Sequence, residues 1–68
     1  MNKALLEYEI KRRGLSTAQV AEHIGINRAT FSQKCNGHSE FKLSEIVAII
    51  QYLGIDDPVP IFFADQVS

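Results

Sequence analysis

Cysteine is nearly missing: Cys35 is the one thiol in 68 residues. A single thiol excludes an internal disulfide and a zinc site built from several cysteines. It suits a reducing compartment. Long apolar runs are missing too. The longest uninterrupted one, residues 46–50 (IVAII), is far short of the roughly 20 residues that cross a bilayer. Nothing near Met1 has the layout of a signal peptide, so the expected setting is cytoplasmic. There is no phosphate loop, no metal-ligand cluster and no pairing of nucleophile with base. An enzyme is therefore the weakest functional class, and no cofactor, metal or small-molecule ligand is expected. Repeats, low-complexity tracts and linkers do not occur. A chain of this length reads as one domain, residues 1–68. It buries only about 60% of its unfolded surface and is marginally stable.

Basic residues are missing from the last third. Residues 1–42 hold all seven lysines and arginines with four acidic residues, a net of +3. Residues 43–68 hold four acidic residues and no basic one, a net of −4, which completes the total of −1. Near-neutrality alone argues against a partner that is a polyanion. Segregated charge does not, because one face can attract a polyanion while the whole stays near neutral.

What is present is helical spacing. The chain is 46% hydrophobic, enough for a small core. Residues 2–13 form a first segment with Asn2 as cap and a stripe of Leu5, Leu6 and Ile10. Lys11, Arg12 and Arg13 lie in its last turn, where cations favour the helix dipole, and the simplest reading of that run is a solvated helix end. Residues 43–53 place Ile46, Ile49, Ile50 and Leu53 on one face. Asp57 and Pro58 suit the start of a short helix over 58–63, followed by a tail, 64–68.

The centre of the chain is residues 16–37. Ser16 and Gln19 have capping-box spacing for a helix over 17–24, with Val20, Ala21 and Ile24 on its apolar face. Gly25 suits the left-handed residue that ends such a helix. Asn27 is a good N-cap for the next helix, 28–36, which stops at Gly37. Helix, glycine turn and second helix make a helix-turn-helix pattern. At 100° per residue, Arg28, Ser32, Asn36, Ala29 and Gln33 share an arc of about 140°. Phe31 and Cys35 lie on the opposite side, beside Thr30 and Lys34. The arc carries chemistry that reads base edges: Arg for guanine, Gln for adenine, Ser for several edges, and an Ala methyl against thymine. Asn36, at the helix end, suits a phosphate.

With these residues in place, the chain resembles the phage repressor/Cro group of helix-turn-helix proteins, the lambda-repressor-like or Xre family. The matching positions are Val20, Ala21, Ile24, Gly25, Ile26 and Phe31, then Asn36-Gly37. The run over 30–46 and Ile61-Phe62-Phe63 resemble small phage or prophage regulators. The resemblance spans about residues 4–63. It implies a compact all-α five-helix domain and a sequence-specific DNA-binding transcriptional regulator that acts by occupying an operator. It implies base contacts by Arg28, Ala29, Ser32 and Gln33. Backbone contacts are expected from Thr17, Asn27, Asn36, His38 and Lys42, with Thr17 shorter than the Gln usual at its position. The partner would be double-stranded DNA, read in the major groove at a palindromic site by a homodimer. Ile61, Phe62, Phe63 and Val67 are the candidates for the dimer contact; the competing reading of Phe62 and Phe63 is a two-sided cap on the domain's own core.

Two positions depart from the family. Lys34 stands where relatives carry an apolar residue; its stem can lie along the core while its ammonium reaches a phosphate. Ile10 and Cys35 stand where some relatives pair a buried Arg with a Glu, and are expected to touch each other instead. Cys35 reads as a core residue, since no base is near it in the pattern. His23 reads as a solvated helix position. The competing function is a protein-binding module on the same fold, such as an antitoxin or antirepressor.

Overall fold

The computed structural model describes residues 1–63, which form five helices: α1 (Lys3–Arg12), α2 (Thr17–Ile24), α3 (Arg28–Cys35), α4 (Leu43–Leu53) and α5 (Val59–Phe62). Among the described residues no helix is long and apolar enough to cross a membrane. The tail, 64–68, lies outside the described residues.

Most helix starts are closed by a side chain next to them in sequence. Asn2 Oδ1 accepts from the Leu5 amide at 3.0 Å. Ser16 and Gln19 complete a reciprocal capping box, with Ser16 Oγ accepting from the Gln19 amide at 3.2 Å and Gln19 Oε1 from the Ser16 amide at 2.8 Å. Asn27 Oδ1 accepts from the Thr30 amide at 2.7 Å. Each bond satisfies an amide that has no acceptor within its helix. The last helix is shorter than expected, Val59–Phe62 rather than 58–63. Pro58 has no N–H to offer, so Asp57 Oδ1 takes the Val59 amide at 3.1 Å, and the Pro58 carbonyl accepts from Ile61 and Phe62.

The helix ends share one device. At the end of α2, Gly25 takes φ +84°, and the Ile26 amide reaches back to the Ala21 carbonyl at 3.0 Å. Such a bond ends a helix cleanly when the residue between is left-handed, which glycine reaches without a Cβ clash. The same five-residue reach closes α1 from Leu15, α3 from His38 and α4 from Ile55. Leu15, Ile26 and Ile55 then pack on or in the core. His38 stands at the corresponding place after α3 and is exposed.

The core joins every helix. Leu6 and Ile10 of α1, Val20 and Ala21 of α2, Phe31 and Cys35 of α3, Ile49 and Leu53 of α4, and Ile61 and Phe62 of α5 are all buried. The helix α2 packs on α3 and α4, while α1 packs on α5 and α2. A bond from the Asn2 amide to the Ile61 carbonyl at 2.7 Å pins the start of α1 to α5. His23 (α2) is exposed, as expected, and its ring also stacks on that of Tyr52 (α4) at 3.8 Å and 12°.

The expectation for the last helix changes in one further respect. Ile61 and Phe62 are not spare surface for a dimer, because both are buried in the domain's own core. The reason is geometric: Phe41, in the loop before α4, meets Phe31 at 5.5 Å on one side and Phe62 at 6.5 Å on the other, both edge to face. Phe63 is half-buried, and Val67 lies outside the described residues.

Ile49 is fully buried at the centre of this cluster. Ile49→Val should lower the urea midpoint by an amount equal to about 0.5–1.5 kcal/mol with an unchanged slope, measured by circular dichroism.

Candidate nucleic-acid interface

The two faces of α3 have different fates. Phe31 and Cys35 point into the core, and Arg28, Ala29, Ser32 and Gln33 are exposed. Among the described residues, the side chains of Arg28, Ser32 and Gln33 have no hydrogen-bond or ion-pair partner. Polar groups on one face of a short helix, with no internal partner, are available to a ligand.

Around this face the structure distributes the expected backbone-contact residues. Asn27, Asn36, His38 and Lys42 are exposed, and Thr17 is half-buried at the first position of α2. The Asn27 oxygen is occupied as the α3 cap, which leaves its NH2 to donate elsewhere. Asn36 Oδ1 accepts from Lys3 Nζ at 2.6 Å, a contact from the opposite end of the chain.

Lys34 is the clear correction. Its ammonium does not reach out toward a phosphate. It points inward and bonds Glu45 Oε1 at 2.6 Å, with both side chains 10% exposed. Two facts force this. Lys34 lies on the core side of α3 next to Phe31, and an unpaired ammonium there would carry a large desolvation penalty. Glu45, in the first turn of α4, also accepts from the Lys42 amide at 2.8 Å, so its position is held by a bond that does not involve Lys34. The ammonium also lies 5.9 Å from the Phe41 ring centre. The sequence reading passed over Glu45. The signal was there: a lysine on a buried arc requires a carboxylate, and Glu40 and Glu45 are the acids that follow.

The other cations divide similarly. Arg13 bonds both the Glu9 carboxylate at 2.5 Å and the Glu9 carbonyl at 2.8 Å, and Arg12 lies 3.6 Å from the same carboxylate. Two cations of the basic run at the end of α1 thus share one carboxylate. Lys11, Arg28 and Lys42 have no ion-pair partner among the described residues. Arg28 and Lys42 stand at the start of α3 and just before α4, so two unpaired cations bracket the exposed face in sequence.

Ile10 and Cys35 belong to one buried cluster. Burial chiefly, and then the charge of Glu7, push the Cys35 thiol up to about 11, with Lys3 opposing. A thiol so protonated is a poor nucleophile.

A family model described as helix-turn-helix domain matches residues 11–59. The chain belongs to this family. No curated protein and no solved structure matches it. The helix-turn-helix unit is α2, the turn through Gly25 to Asn27, and α3. Its membership points to DNA as the class of partner.

The ion pair under this helix-turn-helix yields two linked expectations. Desolvation is the largest single influence on the Glu45 carboxyl and pushes it up. The hydrogen bonds from Lys34 and the Lys42 amide, with both lysine charges, outweigh it and hold the carboxyl below its ordinary value. A lowered folded pKa means the pair stabilises fully above the unfolded value of about 4.3 and loses that contribution as pH falls through the folded value. Glu45→Ala strands Lys34 and should destabilise by about 3–5 kcal/mol, whereas Lys34→Met with Glu45→Leu should recover most of the loss. Thermal melts from pH 7 to pH 3 check both points: the double variant should lose less stability toward acid than the natural chain.

Proposed function

We propose that this helix-turn-helix domain is a sequence-specific transcriptional regulator of the phage repressor/Cro type, which acts by occupying an operator. One observation carries the reading: α3 presents Arg28, Ser32 and Gln33 outward with no partner among the described residues, directly after a glycine turn. With α3 in the major groove, Arg28 bonds guanine, Gln33 bonds adenine, and Ser32 and Ala29 line the same edges. Thr17, Asn27, Asn36, His38 and Lys42 hold the phosphates on either side. Lys34 is not among them.

Four base-reading positions are few for useful affinity. Two copies related by a two-fold axis, on half-sites about 34 Å apart, supply the rest. With Ile61 and Phe62 spent in the core, the copies meet through Phe63 and through exposed apolar residues such as Leu43 and Val47, one turn apart on α4 and 71% and 43% exposed. The same exposed pair, with the net charge of −1, favours a second reading, a protein-binding module of the antitoxin or antirepressor kind.

Selection of bound sequences from random duplex DNA separates the two. A regulator should enrich a pseudo-palindrome and lose affinity steeply with added salt as counterions are released. Arg28→Ala and Gln33→Ala should each cost on the order of 1–3 kcal/mol on the selected site and little on random DNA. Equal losses on both DNAs would remove these residues from sequence reading. No salt-sensitive binding at low ionic strength would favour the protein partner.

A further inference from the structure

The C-terminal end of α3 has an electrostatic problem. Helix carbonyls leave partial negative charge there, which disfavours a phosphate near Asn36. The lysine in that turn, Lys34, is committed to Glu45. The cation bonded at this end instead comes from α1. Lys3 Nζ lies 2.6 Å from Asn36 Oδ1, 33 residues away in sequence.

This bond settles the orientation of the amide. An ammonium carries donors only, so the side of the Asn36 amide that touches it must be the oxygen. The NH2 group then faces away from Lys3. An amide that could either donate or accept becomes, on its remaining side, a donor alone. Lys3 itself has three N–H groups and uses one on Asn36; its other neighbour is the Glu7 carboxylate at 4.0 Å, one turn along α1. Both side chains of the pair are exposed to solvent. The position of Lys3 is fixed from behind, because Asn2 caps α1 and bonds the Ile61 carbonyl. The Lys3–Glu7 approach is long and solvent-exposed, and such a pair is weak, so the two spare N–H groups of Lys3 and the NH2 of Asn36 form an exposed set of donors that suits an anion.

We propose that Lys3 and Asn36 act as one binding pair for a backbone phosphate of duplex DNA: Lys3 supplies the charge and holds the Asn36 amide so that its NH2 faces the phosphate. The pair rests on the DNA-binding reading above and adds to it a contact from α1. It carries no base specificity. Its role is to fix the far end of α3 along the groove.

The pair is tested with a mixed-sequence duplex, so that no operator need be known. The natural chain, Lys3→Gln, Lys3→Arg, Asn36→Ala and the Lys3→Gln/Asn36→Ala double variant are titrated over a range of salt. Lys3→Gln should reduce the slope of log affinity against log salt by roughly 1. Asn36→Ala should weaken binding, the total loss in the double variant should be smaller than the sum of the two single losses, and Lys3→Arg should restore the slope. In the free protein, the side-chain amide resonances of Asn36 should shift in Lys3→Gln and return in Lys3→Arg. An unchanged salt slope in Lys3→Gln, additive losses, or unmoved Asn36 amide resonances would each overturn the pair while leaving the DNA-binding reading intact. A natural chain that shows no salt-sensitive binding overturns that reading and the pair with it.

Discussion

A helix of eight residues does not hold itself in water. Nucleation is unfavourable, and isolated helices shorter than about 12–15 residues are marginal. The helix α3 has eight, so its shape and direction must be imposed from outside. Asn27 closes its start. Phe31 is anchored in an edge-to-face series through Phe41 to Phe62. Lys34 ties it to α4 and Asn36 ties it to α1. Each tie leaves from the inner face, a flank or the end. The outer face stays unencumbered, as a surface that reads a ligand must be.

The Lys34–Glu45 pair shows how narrow the margin is. Both groups lose most of their hydration, and attraction alone does not offset that reliably. Here a single carboxylate oxygen receives the ammonium and the Lys42 amide together. The combined effect lies on the side of the charged carboxylate, as its lowered pKa shows. The pair also makes the loop between α3 and α4 short-circuited at both ends: Glu45 takes the amide at its exit and the lysine from the helix before it. Four of the seven basic residues have a carboxylate within 4.0 Å, the Lys3–Glu7 contact being the longest and solvent-exposed. Lys11, Arg28 and Lys42 have no ion-pair partner among the described residues.

Elements whose signals are local were legible. The capping box of α2, the Asn27 cap, the left-handed Gly25 and the α4 stripe each depend on residues within seven positions of one another. So did the identity of the outer face of α3, because helical periodicity sorts Arg28, Ser32 and Gln33 from Phe31 and Cys35. Apart from the bounds of α5, the misses were pairings across distance. Lys34 reads locally as a cation on a short helix, and nothing nearby says that Glu45 is brought under it. Lys3 reads as an ordinary surface lysine until α5 pins its helix beside the end of α3. Whether Ile61 and Phe62 serve a dimer or the domain's own core stays open locally, because the room for Phe62 is made by Phe41, more than twenty residues earlier.

The sequence by itself therefore determined where helices start and stop, and which side of each is apolar, since caps, glycine stops and periodicity act within a turn or two of chain. Tertiary structure alone decided which charges are spent and which are left over. Burial changes the energy of a charge far more than any sequence neighbour does, and burial exists only once the helices have packed.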